Sequence, residues 1–374
     1  MYLLNSTVQP PTAIHGAVSG SFTRKEATEL VVWRGTSWIE LLEITNTPQG
    51  TRMRTICDQD TFSVIRRLAR ISIPGMETDC LVVVSDSGVL VIIKFDPKHK
   101  RFTRHFSHTY GKSGCRRTGP GHLLAVDPGS RAFATSGLER TRLVYIIDLS
   151  SPDEAESSCA TVRSPIEENR PGQVTVAMKF LHSQVKPTFV TIEHEFALKD
   201  LNNHHHVDIK KNNRTVVCAN EVEVGVNGVS RVCSVEVETG AYDIMPMVNG
   251  SFALFTESSI QIFEYKDKKI ILQDTIDFKK LITSSDQPYF QDEDGQVWKL
   301  TDSLSLDPID SQKTLYQCIC RIQDNLVFTA SLSCPHQLHV IEDHLDNLTK
   351  WIAIDALQNH SPLLSAVVSK KKRG

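Results

Sequence analysis

The sequence has no long hydrophobic run. Its apolar stretches, such as Leu81–Val84 and Val89–Ile93, fall far short of the roughly 20 residues that a membrane-spanning helix needs, so no membrane contact is expected. Met1–Pro11 has neither a basic start nor an extended apolar segment and does not read as a secretion signal. An excess of charge of either sign is also missing, with 41 Lys and Arg against 44 Asp and Glu and a formal net charge of −3. No global field draws the chain to nucleic acid or to an anionic surface, and any such contact has to be local. The cysteines number nine, an odd count scattered over 374 residues. Without a secretion signal they read as free thiols in a reducing compartment.

Helical periodicity is scarce, which argues against an α/β fold. What recurs instead is a β-branched or aromatic run, a polar tight turn and a second such run. Leu30–Trp33 and Trp38–Leu42 flank the first turn. Leu81–Val84 and Val89–Phe95 flank Ser85-Asp86-Ser87-Gly88, a strong hairpin signal. Later copies pair Ala132–Thr135 with Leu143–Ile147, Phe189–Ile192 with Val207–Ile209, Phe252–Phe255 with Ile260–Tyr265, Tyr289-Phe290 with Val297–Leu300, and Leu326–Thr329 with Leu338–Ile341. Further strand-like runs lie between them at Ser63–Ile73, Leu123–Val126, Val174–Phe180 and Leu315–Ile322. Seven hairpins at this period predict an all-β, seven-bladed β-propeller over residues 1–364. A lone four-stranded blade leaves both faces apolar, and radial stacking buries them. The alternative is a β-sandwich or two smaller β domains. Ser150–Gly172 and Asp200–Asn213 break the rhythm and read as exposed polar loops. Residues 365–374, ending in Lys370-Lys371-Lys372-Arg373, read as a disordered basic tail. That tail fits a nuclear localisation signal or a solubilising end equally well.

No catalytic set emerges, and neither an enzymatic activity nor a cofactor is expected. There is no Gly-x-Ser-x-Gly elbow. Gly111-Lys112-Ser113 lacks the earlier glycine a phosphate-wrapping loop requires, because that position is Phe106. His204-His205-His206 would point in alternate directions along an extended segment and make a poor metal site. Cys318-x-Cys320, with Cys334-Pro335-His336 after it, has the spacing of one strand face rather than of structural zinc, and reads as core thiols. Asp86, Asp292 and Asp294 sit in turns, where their carboxylates can accept bonds from nearby backbone.

The remaining constellation is basic. Lys94–Arg117 carries Lys94, Lys98, Lys100, Arg101, Arg104, Lys112, Arg116 and Arg117 against the single acid Asp96, with Phe102, Phe106 and Tyr110 interleaved. Such a stretch suits RNA phosphates and stacked bases. It also suits a solvated outer strand whose aromatics pack between blades. Our reading is an interface made by Arg104, Lys112, Arg116 and Arg117 for an acidic protein surface, since Arg is favoured at interfaces.

Tyr110–Pro128 contains Gly-Lys-Ser-Gly-Cys-Arg-Arg, a Pro-Gly spacer and Leu-Ala-Val-Asp-Pro. With Val83–Gly88, Arg142–Ile146 and Pro11–Gly16, it resembles the family that includes the third subunit of splicing factor 3b, damaged-DNA-binding protein 1 and the largest cleavage and polyadenylation specificity subunit. The resemblance is specific over about residues 10–150. Members of that family are longer, with three propellers and a C-terminal helical region, and this chain resembles the first propeller alone. The splicing branch, favoured by Gly111–Arg117, implies a non-catalytic scaffold in the nucleus. Its partners would be other splicing factor 3b subunits and proteins of the U2 small nuclear ribonucleoprotein, with contact to RNA left open and more readily indirect than direct. The alternative is an adaptor in a cullin ubiquitin ligase or a cleavage and polyadenylation complex.

Overall fold

The computed structural model describes residues 11–110, 122–136, 141–148, 161–195, 214–278, 281–284, 288–301, 303–311, 313–331, 333–343 and 349–359, and every regular element among them is a β-strand. Four consecutive strands form the first antiparallel meander: β1 (Ile14–Gly20), β2 (Glu29–Arg34), β3 (Trp38–Thr47) and β4 (Gly50–Asp60). The second is β5 (Ile65–Ile71), β6 (Cys80–Ser85), β7 (Val89–Asp96) and β8 (Arg101–Thr109). The third runs β9 (Leu124–Val126), β10 (Ala132–Ser136) and β11 (Thr141–Asp148), with β12 (Thr161–Val162) and β13 (Ile166–Asn169) both pairing with β11. Next come β14 (Gln173–Phe180), β15 (Thr188–Glu195), β16 (Arg214–Glu223) and β17 (Gly228–Val237), then β18 (Asp243–Pro246), β19 (Ser251–Phe255), β20 (Ser259–Lys266) and β21 (Lys269–Asp277). Two last meanders comprise β22 (Leu281–Ser284), β23 (Tyr289–Asp292), β24 (Val297–Leu300) and β25 (Leu306–Asp310), and β26 (Tyr316–Gln323), β27 (Leu326–Ser331), β28 (His336–Asp343) and β29 (Thr349–Leu357). A short parallel pairing, Ile309 with Thr349 and Asp310 with Lys350, merges these two into one eight-stranded sheet.

The second strand of each meander is apolar on both faces, which is what radial stacking demands. Along β6, Cys80, Val82 and Val84 pack with Phe133 and Tyr145 of the third meander, while Leu81 and Val83 pack with Val31 and Leu41 of the first. The same alternation recurs in β19, where Phe252 and Leu254 face one neighbour and Ala253 and Phe255 the other. Because successive side chains point to opposite faces, each such strand serves two interfaces. The last meander packs back on the first through Leu326, Phe328 and Ala330 against Ile14, Leu30 and Val32. First strands of successive meanders are also neighbours: β1 lies beside β5 and β26, β5 beside β9, β9 beside β14 and β14 beside β18.

No strand exchange joins the chain's two ends among the described residues; polar side chains do so instead. Ser19 Oγ donates to Arg321 O at 3.0 Å, Met53 N donates to Asp355 Oδ2 at 2.7 Å, and His336 Nε2 donates to Thr12 O at 2.8 Å.

The sequence reading places the central hairpins correctly with one exception. The partner of β15 is β16, starting at Arg214, with Phe189 opposite Asn220 and Ile192 opposite Val217. Val207–Ile209 lies outside the described residues, as do 200–206 and 210–213. The expectation of a loop over Ser150–Gly172 also needs correction, because Thr161–Val162 and Ile166–Asn169 are strands on β11. Pro165 separates them. It has no N–H to give to the ladder, so one outer strand is broken in two. A counter-charge holds the second piece in place: Glu168 lies directly opposite Arg142 and pairs with it at 3.1 Å.

Bulges recur by position. Relative to its partner, the first strand of a meander carries one extra residue at His15, Arg66, Val176, Ile282 and Gln317. The fourth carries one at Ile56, His105, Val232, Gln273 and Ile354. A bulge bends its strand and puts two consecutive side chains on one side.

Candidate interaction surface

Arg104 sits on β8, opposite Ile93, next to the bulged His105, and both side chains are exposed. The bulge explains this. Strict alternation would turn one of the two inward, and the extra residue keeps both outside. Partial desolvation, then the Lys94 ammonium, holds the His105 imidazole below its ordinary pKa. Lys112, Arg116 and Arg117 lie outside the described residues, as do His204–His206 and Lys370–Arg373.

The aromatics of this stretch do not stand out as stacking platforms. Phe102 is buried, edge-on to Phe95 at 5.7 Å and to Phe22 at 6.5 Å. Phe106 packs edge-on to Tyr145 at 6.3 Å. Tyr110 packs on the cluster between the second and third meanders, and burial pushes its hydroxyl pKa up. His108 bridges the two, its Nδ1 lying 2.9 Å from Tyr145 Oη. The aromatics therefore serve the stacking of sheets, and the arginines serve the surface.

Ion pairing separates the arginines by region. Arg24, Arg34, Arg52, Arg70, Arg131, Arg142, Arg163, Arg170, Arg214, Arg231 and Arg321 all have a carboxylate within ion-pair distance. Among the described residues, Arg54, Arg66, Arg67, Arg101 and Arg104 have none, and all of these lie on β4, β5 and β8. Among the described residues, the arginines without a carboxylate partner are thus confined to the first two meanders. Sequence reasoning named Arg104 as a candidate but passed over Arg66 and Arg67, because Ser63–Ile73 reads as an ordinary strand. Two adjacent arginines in such a run are the available signal, since only a bulge leaves both exposed.

Metal and thiol candidates resolve differently. Cys318 and Cys320 both pack on the cluster of Ile14, Val32 and Phe328, as expected of residues two apart on one strand face. His336 is fully buried and both its nitrogens are engaged, Nδ1 accepting from Ser331 N at 3.2 Å and Nε2 donating to Thr12 O. Burial lowers its pKa, as does nearby Arg34. Asp292 holds its own turn, accepting from Asp294 N, Gln296 N and Trp298 Nε1 at 2.9–3.0 Å. Among the described residues no group of three or more His, Cys, Asp or Glu is placed to share a metal ion.

Comparison with known proteins agrees with this architecture. The family model for the RSE1/DDB1/CPSF1 first beta-propeller matches residues 13–360, well past the stretch that carries the motif resemblance. The chain is similar to the pre-mRNA-splicing factor rse1 of Neurospora crassa, 31% identical over 62% of this chain and 18% of that protein. It is similar to splicing factor 3B subunit 3 of Danio rerio, 30% identical over 62% of this chain and 18% of that protein. Spliceosome-associated protein 130 A of Arabidopsis thaliana is 29% identical over 67% of this chain and 20% of its own length. The matched region is thus about a fifth of each relative. With the match running through nearly all the sheets described above, the chain belongs to the RSE1/DDB1/CPSF1 first-propeller family.

Proposed function

We propose that this chain is a seven-bladed propeller, one blade per meander over residues 1–364, acting as a non-catalytic scaffold in pre-mRNA splicing. Its partners in this reading are subunits of splicing factor 3b and proteins of the U2 small nuclear ribonucleoprotein, and it works in the nucleus. The observation that carries the reading is the family match over residues 13–360 together with relatives named as splicing factors. The apolar clusters support the blade count, since each joins two consecutive meanders and one joins the last to the first. A ring closed in this way is rigid, with loops and outer edges left for docking. The unpaired basic residues Arg66, Arg67 and Arg104, with Lys112, Arg116 and Arg117, supply the docking charge, whose natural complement is an acidic protein surface.

The test is affinity purification of the tagged chain from nuclear extract, read by mass spectrometry. Splicing factor 3b and U2 proteins are the expected eluate. Cullin-ligase components, or cleavage and polyadenylation factors, in their place would overturn the assignment in favour of the other branches of the family.

A further inference from the structure

The connection from β4 to β5 presents a side chain that its own sequence disfavours in that conformation. Phe62 is 92% exposed and has φ of 57°. The left-handed region is costly for a bulky L residue, and an exposed Phe gains no burial in return. The backbone around it is nevertheless held firmly. Phe62 N donates to Asp60 Oδ1 at 2.8 Å, Thr61 Oγ1 donates to Ser37 O at 2.8 Å, and Ile65 N donates to Thr36 O at 2.8 Å. Strain held in place by surrounding bonds is a mark of functional sites.

The residues that follow complete a surface. Val64 is 37% exposed. Arg66 is the bulged residue of β5, with no partner across the ladder, and Arg67 lies opposite Val84, so the ladder gives neither a carboxylate. Asp86, in the adjacent turn, ion-pairs with neither arginine. The register puts Ile65, Ser85, Val89 and Thr109 at one end of the sheet, so Phe62, Val64, Arg66 and Arg67 lie together along that rim, at the seam between the first two meanders.

We propose that this rim binds a short acidic segment of a partner protein, with Phe62 and Val64 receiving an apolar side chain and Arg66 and Arg67 its flanking carboxylates. Arg and large aromatics are the side chains that dominate binding energy at interfaces, and a guanidinium matches a carboxylate with two parallel bonds. Single-stranded nucleic acid fits less well. It asks for successive aromatic platforms along a basic groove, and here Phe62 is followed by Val64 while Phe102, Phe106 and Tyr110 pack inward. This inference rests on the scaffold reading and names the chemistry of one docking surface.

The experiment uses the purified chain and fluorescence anisotropy with three labelled probes: the peptide Glu-Glu-Asp-Leu-Glu-Glu, its neutral analogue Gln-Gln-Asn-Leu-Gln-Gln, and a six-residue oligouridylate. The acidic peptide is expected to bind best and to weaken with salt. Arg66→Glu with Arg67→Glu should weaken it about tenfold or more, while Arg54→Glu, an unpaired arginine on β4, should leave it unchanged. Phe62→Gly separates binding from folding. Glycine relaxes the positive φ, so the melting temperature should hold or rise while peptide affinity falls. Failure of the acidic peptide to bind, tighter binding of the neutral peptide or the RNA, or unchanged affinity in the double-charge and Phe62→Gly variants would each overturn the proposal. The nuclear-extract pull-down reports separately, since splicing proteins can be recovered even when the acidic peptide does not bind.

Discussion

Arg67 and Arg142 are both near the start of a strand, and both lie in short polar interruptions of apolar sequence. Their fates differ because of what stands across the ladder. Arg67 faces Val84 and projects from a bulge. Arg142 faces Glu168 of β13, and its side chain is 2% exposed. Its Nη1 donates to Glu193 Oε1 at 2.6 Å, its Nη2 pairs with Glu168, and its guanidinium carbon lies 5.6 Å from the Phe189 ring centre. Thr175 Oγ1 and Arg170 Nη2 bind the carboxylates from outside, at 3.0 and 2.7 Å. One arginine is a brace between the third and fourth meanders, the other a cation on the rim of the second with no carboxylate partner among the described residues. Residue type alone does not decide between a buried brace and an exposed cation; the residue facing it across the ladder does.

The largest effect comes from breaking the brace. Arg142→Met leaves Glu193 fully buried without its cation and Glu168, nearly buried, with Arg170 alone. Removing one partner of a buried pair costs about 3–5 kcal/mol, so the urea midpoint should fall steeply. Adding Glu193→Gln removes one stranded charge and should restore a substantial part of the loss. A fall of under about 1 kcal/mol would mean that solvent reaches this cluster and that the two arginines are less different than their surroundings imply.

The contrast between buried and exposed charge extends to histidine. His339 is 2% exposed, its Nε2 lies 2.9 Å from Thr329 Oγ1, and burial pushes its pKa down to about 4. An unfolded histidine titrates near 6.5, so below that pH the unfolded chain binds a proton that the folded chain refuses. Stability is therefore highest above about pH 6.5 and falls as pH drops toward 4. The gap of about 2.5 pH units corresponds to a loss of about 3 kcal/mol at the acidic end. His336, also lowered, adds in the same direction. Urea midpoints measured from pH 7 to 4.5 should decline, and His339→Gln should flatten the decline. An unchanged slope would show that the imidazole is not shielded as its packing indicates.

A third site lies between the extremes. At the seam of the last and first meanders, Asp355 accepts from Met53 N at 2.7 Å and pairs with Arg52 at 3.1 Å, Arg52 itself being 54% exposed. The exposed pair contributes little, and the bond to backbone most of the effect. Asp355→Ala should cost about 1–2 kcal/mol, read as a small drop in the thermal midpoint.

How much of this was legible in advance follows the same physics. The central hairpins announce themselves because their strands are apolar on both faces and their turns are short. Val207–Ile209 was mistaken for a partner of β15 because a three-residue apolar run carries no register, whereas Arg214–Glu223 pairs over eight positions. The β12–β13 segment was hidden by its composition of Ser, Pro and Glu, since its pairing depends on Arg142, which is distant in sequence. Arg104 was legible from charge density. Arg66, Arg67 and Phe62 were not, because a bulge and a positive φ leave no mark on periodicity.

The smallest expected effect is the most discriminating. Arg66→Gln with Arg67→Gln removes two charges that touch no carboxylate among the described residues, so nothing buried is left unpaired. Surface changes of that kind stay within about 0.5 kcal/mol, and removing adjacent like charges relieves repulsion. The urea midpoint of this variant should match the parent or exceed it slightly at low salt, with the difference vanishing as salt rises. A loss comparable to that of Arg142→Met would place these arginines among the braces and remove the basis for a free cationic rim.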